Sequence, residues 1–280
     1  MTQNERNATR TSGKTLERHT MNPLEEHPGR STANRSLLRG ADILRAFRPG
    51  SDLLGNGEIA ERTGLSNSTV SRLTQTLVAA GLLQQDRARR AYRLAPLVLS
   101  LGHAMRSGSQ VLAIAAPRMR ALAERERINV GLAYPDRDEM VYLESIRYNR
   151  RVALRNVVSG QRVPMELTSL GQAYLATAPE ERYRVLEPIF KRRNGRHWPA
   201  VKKNLEASMD SMRSKGYCWA SWQPEVLAVA TAFSSTEGIC VMNVSVSTQD
   251  DLERWVDALA PKLLTLREDI RSELSRLPDA

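Results

Sequence analysis

Residues 57–81 read GEIAERTGLSNSTVSRLTQTLVAAG. The first part, residues 58–63, has the composition of a short helix. Gly64 suits the left-handed position that ends a helix, and Ser66 suits the N-cap of the next helix. That second helix is expected over residues 67–80. Two short helices joined by a tight glycine turn predict a helix-turn-helix.

The second helix of this motif has one apolar face and one polar face. Val70, Leu73 and Leu77 recur at i, i+3 and i+7, which predicts a buried stripe. In a helix-turn-helix that binds DNA, the second helix enters the major groove and its N-terminal residues contact base edges. An ordinary αα-hairpin with a polar outer face is the alternative. The candidate DNA-contacting residues are the polar ones off the stripe: Asn67, Ser68, Thr69, Ser71, Arg72 and Gln75.

A β-hairpin is predicted directly after the helix-turn-helix. Residues 81–85 and 91–94 are its strands, and the sequence DRARR at residues 86–90 is a charged turn. Such a hairpin is the wing of a winged helix. Arg87, Arg89 and Arg90 lie at its tip, where they are placed to meet phosphates or a minor groove. A charge run is usually only a solvated surface, but its position after a helix-turn-helix favours DNA binding.

Length and composition limit the class of protein. A chain of 280 residues suggests about two domains, and 41% hydrophobic residues are compatible with a folded core. Residues 1–30 lack the hydrophobic segment of a signal peptide, and no apolar run is long enough to span a bilayer, so we expect a cytoplasmic protein with no membrane partner. The two cysteines, Cys218 and Cys240, are expected as buried thiols, and their spacing does not fit a zinc site.

The charge distribution favours an anionic polymer as partner. The net charge is +10, with a pI near 10.0. Residues 36–95 contain nine arginines, no lysine and five acidic residues, a local net charge of +4. Arginine is suited to bidentate contacts with phosphate and guanine, so double-stranded DNA is the expected partner.

Four segments follow from the patterning. Residues 1–33 are expected to be a disordered tail, with a basic arm that tracks DNA as the alternative. Residues 34–95 form the winged helix-turn-helix domain, whose first helix (residues 34–47) is predicted to turn Leu37, Ile43, Leu44 and Phe47 inward. Residues 96–109 are a linker helix with Leu97, Leu101 and Ala104 on one face.

Residues 110–280 form the second predicted domain, one antiparallel sheet flanked by helices. The fold class is therefore α+β. A helix over residues 111–127 turns Leu112, Ala115, Met119 and Leu122 inward. Residues 191–196 are predicted to be a basic loop. The strands are expected at residues 129–134, 140–146, 151–157, 217–221, 226–233 and 239–247, and the further helices at 168–177, 180–190, 202–215 and 250–277.

In the order and spacing of these motifs the chain resembles the IclR family of bacterial transcriptional regulators, over about residues 35–277. The N-terminal half carries the resemblance best. Its matching residues are Ser36-Leu37, Arg39-Gly40, Ile59-Ala60, Gly64-Leu65-Ser66, Thr69-Val70, Arg72-Leu73, Tyr92-Arg93-Leu94, Pro96, Leu99 and Leu101-Gly102. Those of the C-terminal half are Val141-Tyr142-Leu143, Val163-Pro164, Leu170-Gly171, Ala173, Lys215-Gly216-Tyr217 and Val244-Ser245-Val246-Ser247.

The resemblance implies a C-terminal GAF-like domain that binds a small organic or aromatic acid as effector. It also implies a homodimer, often a homotetramer, that acts as repressor or activator. Dimer contacts are expected in the first helix around Leu38, Ala41 and Leu44 and in residues 96–105; the alternative makes these residues ordinary core residues of one chain. The effector-binding residues implied by position are Val152, Arg155, Val163, Ser169, Leu170, Ala220, Ala228, Ser245 and Ser247.

The chemistry of these positions suits an anion. Ser169 and Leu170 begin a predicted helix, where backbone N–H groups and the dipole favour a carboxylate. This chain has Ala220 and Ala228 where the family commonly has an aspartate and a cysteine, and Leu227 where it commonly has an arginine. If Arg155 faces the pocket, a larger, partly apolar anion such as an aromatic carboxylate is favoured over a short keto acid. The alternative has Arg155 facing solvent beside Arg147, Arg150 and Arg151.

Two other classes of function compete with an effector-controlled regulator. An enzyme with an appended DNA-binding domain needs a nucleophile, a base or a metal set, and the sequence contains no nucleophile elbow, Walker loop or dinucleotide fingerprint. His19, His27, His103 and His197 are scattered. We therefore expect no catalytic residue, metal site or cofactor. A nucleic-acid-binding protein without effector control is the other alternative.

Overall fold

A computed structural model describes residues 33–148, 158–223, 225–248 and 251–277. The N-terminal part contains three helices: α1 (Arg35–Ala46), α2 (Asn56–Thr63) and α3 (Asn67–Ala79). Three short strands complete it: β1 (Leu54–Gly55), β2 (Leu83–Asp86) and β3 (Ala91–Leu94). They form an antiparallel sheet in the order β1-β3-β2. This is the predicted helix-turn-helix followed by a wing.

The turn between α2 and α3 has the predicted chemistry. Gly64 ends α2 with φ of 69°, a left-handed conformation that glycine adopts without strain. Ser66 caps α3, since its Oγ accepts the N–H of Thr69 at 3.3 Å. Val70, Leu73 and Leu77 are buried as predicted. They share one apolar core with residues of the other helices and strands: Ile43, Ala46, Phe47, Leu54, Ile59, Leu83 and Tyr92.

Two expectations for this part were wrong or incomplete. Leu37 was predicted to face inward, but its side chain is 73% exposed. The buried residues of α1 begin only at Gly40, because the first turn of α1 extends beyond the core. Strand β1 was not predicted, since two residues are too few to show a period. It pairs with β3 through Leu54 and Tyr92.

Helix α4 (Pro96–Ser107) connects this part to the rest of the chain. It begins with proline in its first turn, as predicted, but contains no buried residue. Leu97 and Leu101, expected on one packed face, are both exposed. In α5 (Gln110–Glu126), by contrast, Leu112, Ala115, Met119 and Leu122 are buried as predicted.

The C-terminal part is built on a six-stranded antiparallel sheet in the order β6-β5-β4-β9-β8-β7. Its strands are β4 (Asn129–Asp136), β5 (Glu139–Ile146), β6 (Arg162–Pro164), β7 (Cys218–Gln223), β8 (Val226–Ser235) and β9 (Gly238–Ser247). Helix α5 and α9 (Leu252–Leu274) cover one face of the sheet. The other face is covered by α6 (Ser169–Thr177) and α8 (Trp198–Lys215), with α7 (Glu180–Asn194) packed beside them. The α+β class is confirmed.

The predicted basic loop at residues 191–196 is wrong. Helix α7 continues to Asn194, and a short 3-10 helix, Gly195–His197, leads directly into α8. The run of basic side chains suggested a solvated loop. The segment is helical because Phe190 before it and Trp198 after it are buried and hold both of its ends against the core. The predicted strand at residues 151–157 lies outside the described residues, as does almost all of the predicted tail.

Both cysteines of the chain lie in this part. Cys218 and Cys240 are free, buried thiols, as predicted. Among the described residues, no cluster of three or more histidine, cysteine or acidic side chains is arranged to hold a metal ion. None of the described helices combines the length and apolar character that crossing a membrane requires.

Candidate functional site

The outer face of α3 presents a row of polar side chains. Asn67, Ser68, Arg72 and Gln75 are exposed, while Thr69 and Ser71 are half-buried at the edges of the row. All six predicted DNA-contacting residues of this helix therefore lie off the buried stripe. Because Val70, Leu73 and Leu77 fix the opposite face to the core, the row points away from the molecule.

The first turn of α3 contains a cluster of hydroxyl groups. Ser66 Oγ lies 3.1 Å from Ser68 Oγ and 2.9 Å from Thr69 Oγ1. These contacts hold the side chains of Ser68 and Thr69 against the cap. The side chains of Arg72 and Gln75, one turn further along, have no hydrogen bond or ion pair within the described part of the chain.

The wing tip divides its arginines into two groups. Asp86 binds Arg89 at 3.2 Å and Arg93 at 2.8 Å. The pKa of Asp86 is lowered, chiefly by the hydrogen bond from the backbone N–H of Arg89, against a smaller opposing effect of desolvation. Arg87 and Arg90, the other predicted contacts, are exposed and have no side-chain partner in the described segments. They are the wing cations that are available to a phosphate.

A second candidate site is a pocket between the sheet and the N-terminus of α6. Its floor is formed by side chains of β8 and β9, and its rim by the start of α6, the end of β7 and the residue after β5. The cavity volume is about 30 Å³, room for about two water molecules. The lining residues are Tyr142, Arg147, Val163, Thr168, Ser169, Leu170, Trp222, Gln223, Val226, Ala228, Asn243 and Ser245.

The pocket brings together part of the expected effector-binding set. Val163, Ser169, Leu170, Ala228 and Ser245 line it, whereas Ala220 and Ser247 do not. Strand β7 is irregular between Ala220 and Gln223, which changes the facing of its later side chains. Trp222 and Gln223 consequently reach the pocket in place of Ala220. Val152 and Arg155 lie outside the described residues.

Two polar atoms of the pocket are buried and have no hydrogen-bond partner among the described residues. The Oγ of Ser169 and the Oδ1 of Asn243 accept or donate no hydrogen bond within the described part of the chain. Asn243 Nδ2 donates to Tyr142 Oη at 3.4 Å. Burial raises the pKa of Tyr142, which keeps its hydroxyl protonated at neutral pH. Unsatisfied buried polar atoms cost free energy, so a ligand or an ordered water that hydrogen-bonds to them would be favoured here.

Arg147, directly after β5, supplies the positive charge of the pocket. Its Nε donates to Ser145 Oγ at 3.3 Å. Burial lowers the pKa of Arg147, with an opposing effect of Tyr142, and the guanidinium remains charged at neutral pH. A partly desolvated cation at the end of a pocket favours an anionic ligand.

The N-terminus of α6 points at the same space. Thr168 caps this helix, because its Oγ1 accepts the N–H of Gly171 at 3.3 Å. The N–H groups of Ser169 and Leu170, at the first two positions, have no partner inside the helix, as at any helix N-terminus. Together with Arg147 they give the pocket two sources of positive potential.

Sequence reasoning missed about half of the lining. Tyr142 and Thr168 were placed in the expected strand and at the expected helix start, but not in the pocket. Asn243 stands two residues before Ser245 on β9, so strand period alone was a usable signal for it. Arg147 and Gln223 gave no such signal, because only the tertiary fold brings them to α6.

Two family models match the chain. The IclR helix-turn-helix domain matches residues 36–87, and the bacterial transcriptional regulator IclR C-terminal domain matches residues 103–271. The first covers α1 to the first strand of the wing, and the second covers the six-stranded sheet, the pocket and all but the end of α9.

Individual relatives agree with these matches. The chain is 33% identical over 247 residues to the HTH-type transcriptional regulator TsaQ1/TsaQ2 of Comamonas testosteroni, covering 85% of this chain and 88% of that protein. It is 34% identical to a crystal structure of an IclR family transcriptional regulator from Brucella abortus, with a TM-score of 0.79 and coverage of 92% and 98%. An IclR homologue from Microbacterium hydrocarbonoxydans, solved in complex with 4-hydroxybenzoate, is 23% identical, with a TM-score of 0.61 and coverage of 85% and 99%. These relatives are named as regulators or regulator homologues, not as enzymes.

Proposed function

The chain belongs to the IclR family of bacterial transcriptional regulators, and on that premise we propose which residues read DNA and which class of effector controls them. It is a DNA-binding transcriptional regulator with a C-terminal effector-binding domain. We take the regulator to act in the cytoplasm, where its DNA lies.

The proposed DNA-reading surface is the exposed face of α3 together with the wing tip. Arg72 and Gln75 read base edges, because they project from the first two turns of α3 without an internal partner. Asn67, Ser68, Thr69 and Ser71 contact bases or nearby phosphates from the same face. Arg87 and Arg90 bind phosphates, and Arg89 joins them when it leaves Asp86, since its side chain is 69% exposed.

A two-fold dimer is the proposed assembly. A single winged helix buries too little surface for tight specific binding, and a dimer reads two half-sites. Helix α4 supports this proposal because it is apolar on its surface yet buries nothing within one chain. Leu99 is 79% exposed, and Leu97, Leu101 and Met105 are also exposed. These side chains, with Leu38 of α1, form the proposed dimer contact; further pairing to a tetramer is compatible with the family.

The effector is proposed to be a small organic acid that binds in the pocket under α6. The observation that carries this proposal is the meeting of Arg147, the α6 N-terminus and the unpartnered Ser169 Oγ in one partly buried space. The acid's carboxylate pairs with Arg147 and accepts from the Ser169 hydroxyl. Val163, Leu170, Val226 and Ala228 give the rest of the pocket an apolar wall.

An aromatic acid fits this lining better than a two- or three-carbon keto acid. Ala228 and Leu170 offer apolar surface, and Trp222 offers a ring face at the rim. A cavity of about 30 Å³ is smaller than a benzene ring, so the acid enters only when rim side chains move. Trp222 is the side chain free to do so, since it is 39% exposed.

The test is a panel of acids in a thermal-shift assay, followed by calorimetry on the best binder. 4-Hydroxybenzoate and benzoate are the first aromatic probes, and glyoxylate and pyruvate are the short-chain ones. Binding of an aromatic acid is expected to weaken by about 10- to 100-fold in Arg147→Met, because a hydrogen bond to a charged group contributes about 1.5–3 kcal/mol. Arg184→Met, which removes an exposed arginine on α7, is the matched control. Tighter binding of glyoxylate or pyruvate, or undiminished binding by Arg147→Met, contradicts the proposal.

A further inference from the structure

The DNA-binding part contacts the effector-binding part through a cluster of charged side chains. We call it the α1–hairpin cluster: Arg45 in the last turn of α1, Arg48 two residues after α1 ends, Asp136 and Glu139 in the β4–β5 hairpin, and Arg162 of β6. A neighbouring ion pair joins Asp42 of α1 to Arg137 of the hairpin turn. None of these residues belongs to the DNA-reading surface or lines the pocket.

Arg45 and Arg48 each form a bidentate pair with one carboxylate. Arg45 donates from Nε and Nη2 to the two carboxylate oxygens of Asp136, each at 3.2 Å. Arg48 donates from Nη1 and Nη2 to the two oxygens of Glu139, at 2.8 and 3.0 Å. A bidentate arginine–carboxylate pair fixes orientation as well as distance. Two such pairs side by side therefore define how α1 sits on the hairpin.

Arg162 donates to the same two carboxylates, at oxygens that Arg45 and Arg48 also contact. Its Nη2 donates to Asp136 Oδ2 at 2.6 Å, and its Nε donates to Glu139 Oε2 at 2.8 Å. The side chains of Arg162 and Glu139 are only 14% and 12% exposed. Each carboxylate is thus shared between an arginine of the DNA-binding part and an arginine of the effector-binding part.

Arg162 is also coupled to the pocket by the backbone. It directly precedes Val163, which lines the pocket, and Val163 pairs with Met140 in the register that places Glu139 opposite Pro164. Any shift of β6 that makes room for a ligand beside Val163 displaces Arg162 as well. Such a shift changes the geometry of both shared carboxylates.

On the DNA-binding side of the cluster, α1 is packed directly against α3, the helix proposed to read DNA. Ile43, Ala46 and Phe47 of α1 share one apolar core with Val70 and Leu77 of α3. Arg62 Nη1 also donates to the Ala46 carbonyl at 2.9 Å, which ties α2 to the end of α1. A tilt of α1 on the hairpin therefore becomes a tilt of α3.

We propose that the α1–hairpin cluster is the contact through which the effector pocket controls the DNA-binding domain, with Arg162 as the positioning residue that transmits the change. This rests on the proposed effector pocket. Arg45 and Arg48 are more than one-third exposed, so water competes for their pairs and the contact is exchangeable. A contact of this kind is suited to a switch, because either of two arrangements costs little.

The experiment uses the full-length protein and a DNA fragment that the protein itself enriches from genomic DNA. The affinity for this fragment is measured with and without a saturating concentration of the best-binding acid of the panel, in wild type, Arg48→Met, Arg162→Met and Arg162→Lys. Effector couplings are typically about 5- to 150-fold. The ratio of the two affinities is expected to fall toward 1 in both methionine variants and to be partly restored by lysine, while acid binding itself changes less than about threefold. Arg184→Met is the control and keeps the wild-type ratio.

If the ratio of DNA affinities with and without the acid is the same in Arg48→Met and Arg162→Met as in wild type, the proposal is overturned. If Arg162→Met does not fold, Arg48→Met decides alone, since its side chain is half-exposed. If no acid of the panel alters DNA affinity in wild type, the proposed effector class fails, and the cluster is then tested by trypsin cleavage after Arg106 in α4. Faster cleavage in Arg48→Met than in Arg184→Met retains the cluster as the domain contact, and equal cleavage rejects it.

Discussion

The backbone of Gly171 in α6 lies against the backbone of Met165, and this close approach places the start of α6 at the pocket. A Cβ on Gly171 would lie 2.1 Å from the Cα and 2.2 Å from the carbonyl oxygen of Met165. Only glycine permits this approach, because the obstructing atoms are backbone and have no rotamer to change. The approach brings Thr168 and Ser169 onto the sheet. The identity of residue 171 is therefore a condition for the pocket.

Gly171→Ala is expected to destabilise the protein by about 1–3 kcal/mol or more, because overpacking a well-packed site typically costs that much and the backbone of Met165 has no rotamer to change. Gly57→Ala is the matched control, because a Cβ there meets nothing within 4 Å and the residue lies in the first turn of α2. That change is expected to be neutral or to stabilise by about 0.5–1 kcal/mol. Thermal unfolding of both variants is the measurement. A wild-type melting temperature for Gly171→Ala would contradict the close approach.

At the scale of single elements, the recognition unit was predictable and the pocket was only partly so. Ser66, Gly64 and the Val70-Leu73-Leu77 stripe are local signals, and the structure has all of them where expected. The pocket depends on tertiary placement instead. The irregularity of β7 that brings in Trp222, and the turn after β5 that brings in Arg147, have no signature in the local sequence. The helix predicted over residues 168–177 is α6, which begins one residue later, at Ser169, with Thr168 as its N-cap.

At the tip of the wing, the effect of a residue on DNA binding can be measured apart from its effect on stability. Arg90 has a φ of 51°, which is unfavourable for any residue other than glycine. Arg90→Gly is therefore expected to preserve or slightly raise stability while it weakens binding to all DNA sequences alike. The slope of log affinity against log salt should fall by about 0.9 for one lost phosphate contact.

Arg72→Ala is expected instead to weaken binding to the specific DNA site by about 1–3 kcal/mol and to relax sequence preference. Equal effects of both variants on specific and non-specific DNA would contradict the assignment.

Helix α4 carries the prediction on assembly. Leu99→Asp places a charge on the most exposed leucine of this helix, where a single chain leaves it in water and the cost is limited to a few tenths of a kcal/mol of helix propensity. In a dimer that buries α4, the same change is expected to shift the protein to monomer at micromolar concentration and to weaken DNA binding. Light scattering measures this, with Leu277→Asp, another exposed leucine, as control. A wild-type molar mass for Leu99→Asp would remove α4 from the interface.

On the scale of the whole molecule, ion pairs connect the DNA-binding part to the effector-binding part, whose apolar cores are separate. The apolar core of the DNA-binding part is separate from the two that cover the faces of the six-stranded sheet. The link between them is the exposed helix α4 together with the α1–hairpin cluster. Arg106 of α4 adds a pair to Glu144 of β5 at 2.7 Å. Because polar contacts are more readily exchanged than buried apolar ones, the arrangement of the two parts is the adjustable feature of the fold.

The cluster is expected to make the stability of the folded protein sensitive to acid. Burial alone raises the pKa of Asp136, but the hydrogen bonds and charges of Arg45 and Arg162 outweigh it and hold the pKa below its ordinary value. Glu139 and Arg48 are the other charged groups of the cluster beside it. A carboxylate with a lowered pKa stabilises the folded state above its unfolded pKa, and that contribution is lost as the pH falls through the lower folded-state value.

Asp136→Asn is accordingly expected to lower the melting temperature at pH 7, since breaking bonds to a charged group costs about 1–3 kcal/mol. The difference from wild type should shrink as the pH falls below 3.8. Asp210→Asn, on the exposed side of α8, is the control and should show no difference at either pH. A deficit that stays constant at low pH would mean that Asp136 does not act through its charge.

The central claim is that an acid bound under α6 controls DNA binding by α3 and the wing. The most direct measurement is the affinity for the enriched DNA fragment, by fluorescence anisotropy, as an aromatic acid is titrated into wild type and Arg147→Met. We predict that the acid changes the affinity of wild type at least fivefold, and that Arg147→Met binds the same DNA equally well but needs about 10- to 100-fold more acid for the same change. An identical acid response in wild type and Arg147→Met would contradict the claim.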